Sequence, residues 1–81
     1  MRVVREISRP DLKITIFSWN NRFLIKLEQG LLEQTFKIPE LDLAGEADLD
    51  SILDAEFLHQ ASRRFLEMGQ SLYEAQKRSG I

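Results

Sequence analysis

His59 is the only imidazole in the chain, and there is no cysteine. Thiolate nucleophiles, disulfides, iron–sulfur clusters and cysteine-bound zinc are thereby excluded together. A single histidine beside Leu58 on an expected helix reads as a surface or core-edge residue. It would hold a metal only with carboxylates such as Glu56 or with a second subunit. Asp42, Glu46, Asp48, Asp50 and Asp54 offer a run of oxygen donors. A calcium loop, however, needs ligands at alternating positions, a central glycine and a closing glutamate, and this run has no such order. Gly30, Gly45, Gly69 and Gly80 are isolated from one another, so no backbone cradle for phosphate is encoded. No nucleophile has a base at a diagnostic spacing, and no carboxylate pair is set for acid–base work. The expectation is a protein that is not an enzyme and that carries no cofactor and no metal.

Nucleic-acid binding is the one chemical class with residues in its favour. Phe17 and Trp19, with Lys13, Arg22 and Lys26 nearby, have the composition of a stacking platform with phosphate contacts. Glu28 and Glu33 fall on the same expected sheet face, and the sequence pI near 5.3 lacks a basic footprint. The Arg63-Arg64 pair reads as a solvated helix edge. Nucleic acid is therefore disfavoured as a partner, and a single-strand binder built around Phe17, Trp19 and Arg22 stands as the alternative function.

The elements that must position any site follow from composition and periodicity. With 43% apolar and 30% charged residues the chain is globular in character. Its 81 residues suit one domain, 1–81, whose burial on folding is only about 60% of the unfolded surface, so its stability is small. No apolar run approaches the roughly 20 residues that cross a bilayer, and Met1 to Glu6 lack the apolar stretch of a signal peptide. A cytoplasmic protein without a membrane partner is expected. Charge is unevenly distributed: residues 1–26 hold six bases against two acids, about +4, leaving −6 for the remainder. Glu40, Asp42, Glu46, Asp48, Asp50, Asp54 and Glu56 follow one another with no lysine or arginine among them. Such a run suits a solvated loop and a helix start, where carboxylates meet the positive end of the dipole.

Over residues 12–38 polarity alternates with a period of two, interrupted at Asn20-Asn21 and at Gln29-Gly30. Two-residue turns centred on those pairs predict a three-stranded antiparallel β-meander. One face then collects Ile14, Leu27 and Leu32, next Ile16, Ile25 and Gln34, and last Ser18, Phe23 and Phe36. The other collects Lys13, Glu28 and Leu31, then Thr15, Lys26 and Glu33, then Phe17, Leu24 and Thr35, with Trp19 opposite Arg22. Residues 1–11 read either as an extra N-terminal edge strand containing Val3, Val4 and Ile7 or as an arm. Pro39 ends the meander, and residues 39–47 form an acidic loop with room for one helical turn.

From residue 48 the period becomes helical, with Leu58, Ala61, Phe65, Met68, Leu72 and Ala75 on one stripe. One long C-terminal helix over 48–79 is predicted, capped from Asp48, Asp50 or Ser51 and ending near Gly80. The stripe keeps its phase through Gly69, the competing reading being a first helix that ends there and a second capped by Ser71 with Glu74. The fold class is thus α+β, a meander packed on one helix. The core is expected to join Ile14, Ile16, Phe23, Ile25, Leu27 and Phe36 to Phe57, Leu58, Ala61 and Phe65.

Lengths carry the functional expectation. A helix of about 30 residues spans roughly 45 Å, whereas strands of seven or eight span about 25 Å. Met68, Leu72, Tyr73 and Ala75 would extend past the sheet without a partner, and a second copy of the helix is the expected cover. Phe17, Trp19 and Leu24 form a second interface candidate on the outer sheet face. The function expected is a protein-interaction module, homodimeric through its long helix, with room for a further protein partner.

Overall fold

A computed structural model describes residues 1–81. Four strands, β1 (Arg2–Arg9), β2 (Leu12–Trp19), β3 (Arg22–Gln29) and β4 (Leu32–Pro39), form an antiparallel sheet in the order β1-β2-β3-β4. A short 3-10 turn (Glu40–Asp42) leads to helix α1 (Ala47–Ile52) and then to helix α2 (Ala55–Ser79). The architecture is the expected α+β meander on a long C-terminal helix, with the N-terminal segment resolved as a true fourth strand.

The first hairpin has the anticipated register. Asn20 and Asn21 both adopt positive φ, 54° and 62°, so Ile14 faces Leu27, Ile16 faces Ile25 and Trp19 faces Arg22. The second hairpin departs from expectation by two residues. Its turn centres on Gly30-Leu31, and Ile25 pairs with Phe36 and Leu27 with Gln34. Gly30 alone has positive φ there, 59°, which places the glycine first in the turn, the type II′ arrangement, instead of second in a type I′ turn. Because the slip is an even number, every side chain keeps its face. The Lys26–Glu33 attraction also persists, as a diagonal ion pair of 3.3 Å, although Lys26 now lies opposite Thr35.

β1 was ambiguous because its apolar residues do not alternate. Val4 and Ile7 are three apart, yet both pack on the core, and a register shift between Val3 and Arg5 absorbs the extra residue. Beyond the shift Arg5 turns toward α1, where it forms an ion pair with Asp50. At that point the basic N-terminal part and the acidic segment meet within one molecule.

The single helix expected over 48–79 is two helices. α1 ends at Ile52 with Leu53 as its C-cap, and Asp54 takes an extended conformation (φ −81°, ψ 174°) as the N-cap of α2, its Oδ1 accepting the Phe57 N–H at 2.8 Å. Asp54, and not Asp48, Asp50 or Ser51, is the cap of the long helix. Aspartate at this position satisfies an orphan donor and favours redirection of the chain. The bend lets Leu49, Ile52 and Leu53 pack with Phe57 and Leu58 on one core. α2 passes through Gly69 unbroken and closes on Gly80 in the left-handed region, φ 74°.

Buried at the centre are Ile14, Ile16, Ile25, Leu27, Leu49, Ala61 and Phe65, joined by Leu12 and Phe23. A Cβ added at Gly69 would meet only the Leu32 Cδ1 atom, at 3.6 Å, an ordinary contact. Gly69→Ala is therefore expected to stabilise the fold by about 0.5–1 kcal/mol, the helical cost of glycine. Urea unfolding midpoints of the two proteins test this, and a lower midpoint for the alanine form would refute it. No helix is long and apolar enough to cross a membrane.

Candidate interaction surfaces

The pleat sends alternate residues of every strand to the face opposite the helices, where no element covers them. Register across the strands aligns Val3, Phe17, Leu24 and Lys37 in one row and Trp19, Arg22 and Pro39 in the next. Phe17, Trp19 and Leu24 are thus brought together as anticipated, with Val3 added by β1. Their exposure differs sharply, since Trp19 is 48% exposed and Leu24 only 9%. The cations around them also divide. Arg22 and Lys37 beside the aromatic rows enter no ion pair, whereas Lys26 is held by Glu33 at 3.3 Å and Glu28 at 3.9 Å. Lys13 lies six residues along β2 from Trp19, roughly 20 Å away on a strand, so it does not belong to the same patch.

The second surface is the distal part of α2. Core contacts of this helix end at Met68, which is half-buried, and residues 69–79 continue beyond it. Leu72 lies on the line of Ala61 and Phe65 yet is 51% exposed, and Tyr73 is 60% exposed. Ala75 is half-buried, and Leu66 on the flank is exposed. The Lys77 ammonium stands 5.3 Å from the centre of the Tyr73 ring. A 25-residue helix is about 37 Å long, against about 26 Å for these strands, and the molecule extends 48 Å along its longest axis.

A third feature was not anticipated. Between β4 and α2 opens a cleft of about 590 Å³, lined by Gln34, Thr35, Phe36, Arg64, Glu67, Met68 and Ser71. Gln34 occupies an otherwise apolar row of the inner face and is buried. Its Nε2 donates to the Ala61 carbonyl at 2.9 Å, and its Oε1 accepts from Arg64 Nε at 3.0 Å. Arg64 also lies over the Phe36 ring, 5.9 Å from its centre, and Phe36 packs edge-on against Phe57 at 5.3 Å. Arg64 is consequently not the solvated helix edge expected of the Arg63-Arg64 pair; only Arg63 is exposed. The sequence signal for this cleft was the one polar residue, Gln34, in an apolar row.

No known protein family, curated protein or solved structure matches the chain. His59 is exposed on α2, and the histidine and carboxylates form no cluster suited to a metal ion. The acidic residues serve local ends instead: Asp48 Oδ2 accepts the Ala44 N–H at 2.8 Å, Asp54 caps α2, and Glu40 accepts from Ser18 Oγ at 3.3 Å.

Proposed function

We propose that this chain is a non-catalytic protein-interaction module that self-associates as a homodimer through the distal part of α2. The observation that supports this reading most is the overhang itself: Leu72 continues the core stripe past the last core contact at Met68, beside exposed Tyr73 and Leu66. Burying apolar surface of this kind is favourable by about 25 cal/mol per Å², and a two-fold pairing of identical helices is the simplest cover. The cysteine-free composition supports a reducing, cytoplasmic setting. Sedimentation equilibrium at micromolar concentration is expected to give twice the 9.4 kDa chain mass. Leu72→Glu should restore the single-chain mass while leaving the circular dichroism unchanged. A wild-type protein that sediments as one chain would remove this reading.

Arg22 and Lys37, unpaired beside Trp19, Phe17 and Leu24, favour a second reading, a single-stranded nucleic-acid binder using that end of the outer sheet face. Stacking on Trp19 with phosphates on the two cations is its mechanism. Oligothymidylate titrated at low salt should then quench Trp19 fluorescence, and the effect should vanish as salt rises. An unchanged emission spectrum at low salt would dismiss it.

A further inference from the structure

The sheet has two open edges, and they differ. β1 is interrupted by its bulge between Val3 and Arg5, a device that discourages further pairing. β4 runs eight residues in unbroken register with β3. The Glu40 N–H donates to the Asn21 carbonyl at 3.0 Å, which sets the alternation of bonded pairs along this ladder. By that alternation Leu32, Gln34, Phe36 and Ile38 bond to β3, and Glu33, Thr35 and Lys37 direct their N–H and C=O groups outward. The 590 Å³ cleft lies along this edge, with α2 as its other wall.

We propose that the cleft is a docking groove for an extended peptide bearing a carboxylate side chain, which joins β4 as a fifth strand and places that carboxylate on Arg64. Main-chain hydrogen bonds to Glu33, Thr35 and Lys37 supply the sequence-independent part of the recognition. Side chains of an added strand alternate between faces, so every second one enters the cleft beside Arg64, Phe36 and Met68. Charge selects an acidic side chain there. Arg64 is half-buried and immobilised by Gln34 and the Phe36 ring, yet it enters no ion pair. Its terminal guanidinium nitrogens match a carboxylate in a two-pronged geometry, and little side-chain freedom remains to be lost on binding. Glu67 also lines the cleft, but Arg63 lines the adjoining depression together with Arg64, so two arginines face that one carboxylate. The next cleft-facing position of the peptide meets Met68 and Phe36 and takes an apolar residue.

This docking is independent of the α2 overhang, and its test separates the two. A displayed library of random peptides about ten residues long, enough to cover the eight-residue β4, is selected against the full chain. Enriched sequences should carry aspartate or glutamate at one fixed position with an apolar residue two away. Arg64→Gln should weaken their binding about tenfold or more, as loss of a charge-assisted bidentate contact does. Thr35→Pro removes one outward N–H and no bond to β3, so the fold survives while strand addition is blocked. Leu72→Glu should bind the same peptides unchanged. In the wild type, bound peptide should slow amide exchange at Glu33, Thr35 and Lys37, a readout that does not depend on either cleft variant folding. Failure to enrich any peptide, enriched peptides indifferent to both cleft variants, or unaltered exchange at those amides overturns the proposal. So does a dimer that Thr35→Pro converts to monomer, because β4 would then be occupied by a second copy.

Discussion

Phe65→Ala is expected to destabilise the protein by about 3–5 kcal/mol, the range for deleting a buried phenyl ring. Phe65 is 1% exposed and is the largest fully buried side chain, placed where α2 crosses the inner face of the sheet. The loss combines the transfer energy of the ring with the cavity left behind. Collapse around that cavity is limited, because Gln34 fixes α2 to β4 through the Ala61 carbonyl one turn away. A domain of this length has a total stability of about 4–12 kcal/mol at the usual 0.05–0.15 kcal/mol per residue. The variant should therefore be close to unfolding at 25 °C, with a strongly lowered urea midpoint. If the protein dimerises, the midpoint also depends on concentration, so the comparison belongs in the Leu72→Glu background. A shift below about 1 kcal/mol there would mean that the ring is not the keystone between helix and sheet.

Most of the fold was legible because the relevant signals are local and redundant. The first hairpin was specified twice, by Asn20-Asn21 and by apolar rows that agree with them. The second was specified once, by a glycine that can stand first or second in a two-residue turn, and the two choices differ by an even shift that leaves the alternation intact. Face assignment therefore survived while pairing did not. The bulge in β1 removed the alternation that would have identified that strand. The break at Asp54 was concealed for the opposite reason: Leu49, Leu53 and Phe57 keep a four-residue spacing straight through it, so no loss of phase marks the bend. Of the interface candidates, Phe17, Trp19 and Leu24 were placed together by register, and Leu72 and Tyr73 by the length of α2. The cleft between β4 and α2 was beyond reach, because Gln34 and Arg64 are 30 residues apart and their contact depends on how the helix lies on the sheet.

Leu49→Ala carries the other large expected effect, about 2–5 kcal/mol for a buried leucine, and it has a local signature that Phe65→Ala lacks. α1 has six residues, far too few to be helical by itself, and Leu49 is its only buried side chain, fully enclosed against the core. Ile52 and Leu53 are only half-buried against that core, and the polar tie between this segment and the sheet is the Arg5–Asp50 ion pair, where Asp50 is largely exposed. Surface pairs of this kind contribute about 0–1 kcal/mol, too little to hold a helical turn in place. Removing the leucine should release residues 47–53 as a unit before the rest unfolds. Amide exchange at Leu53, whose N–H donates to the Leu49 carbonyl, should accelerate far more than exchange in β2 and β3. Asp50→Asn, by contrast, should leave both the midpoint and the Leu53 exchange rate almost unaltered. If Asp50→Asn frees the segment and Leu49→Ala does not, electrostatics and not burial anchors α1, and the bend at Asp54 would owe its persistence to charge.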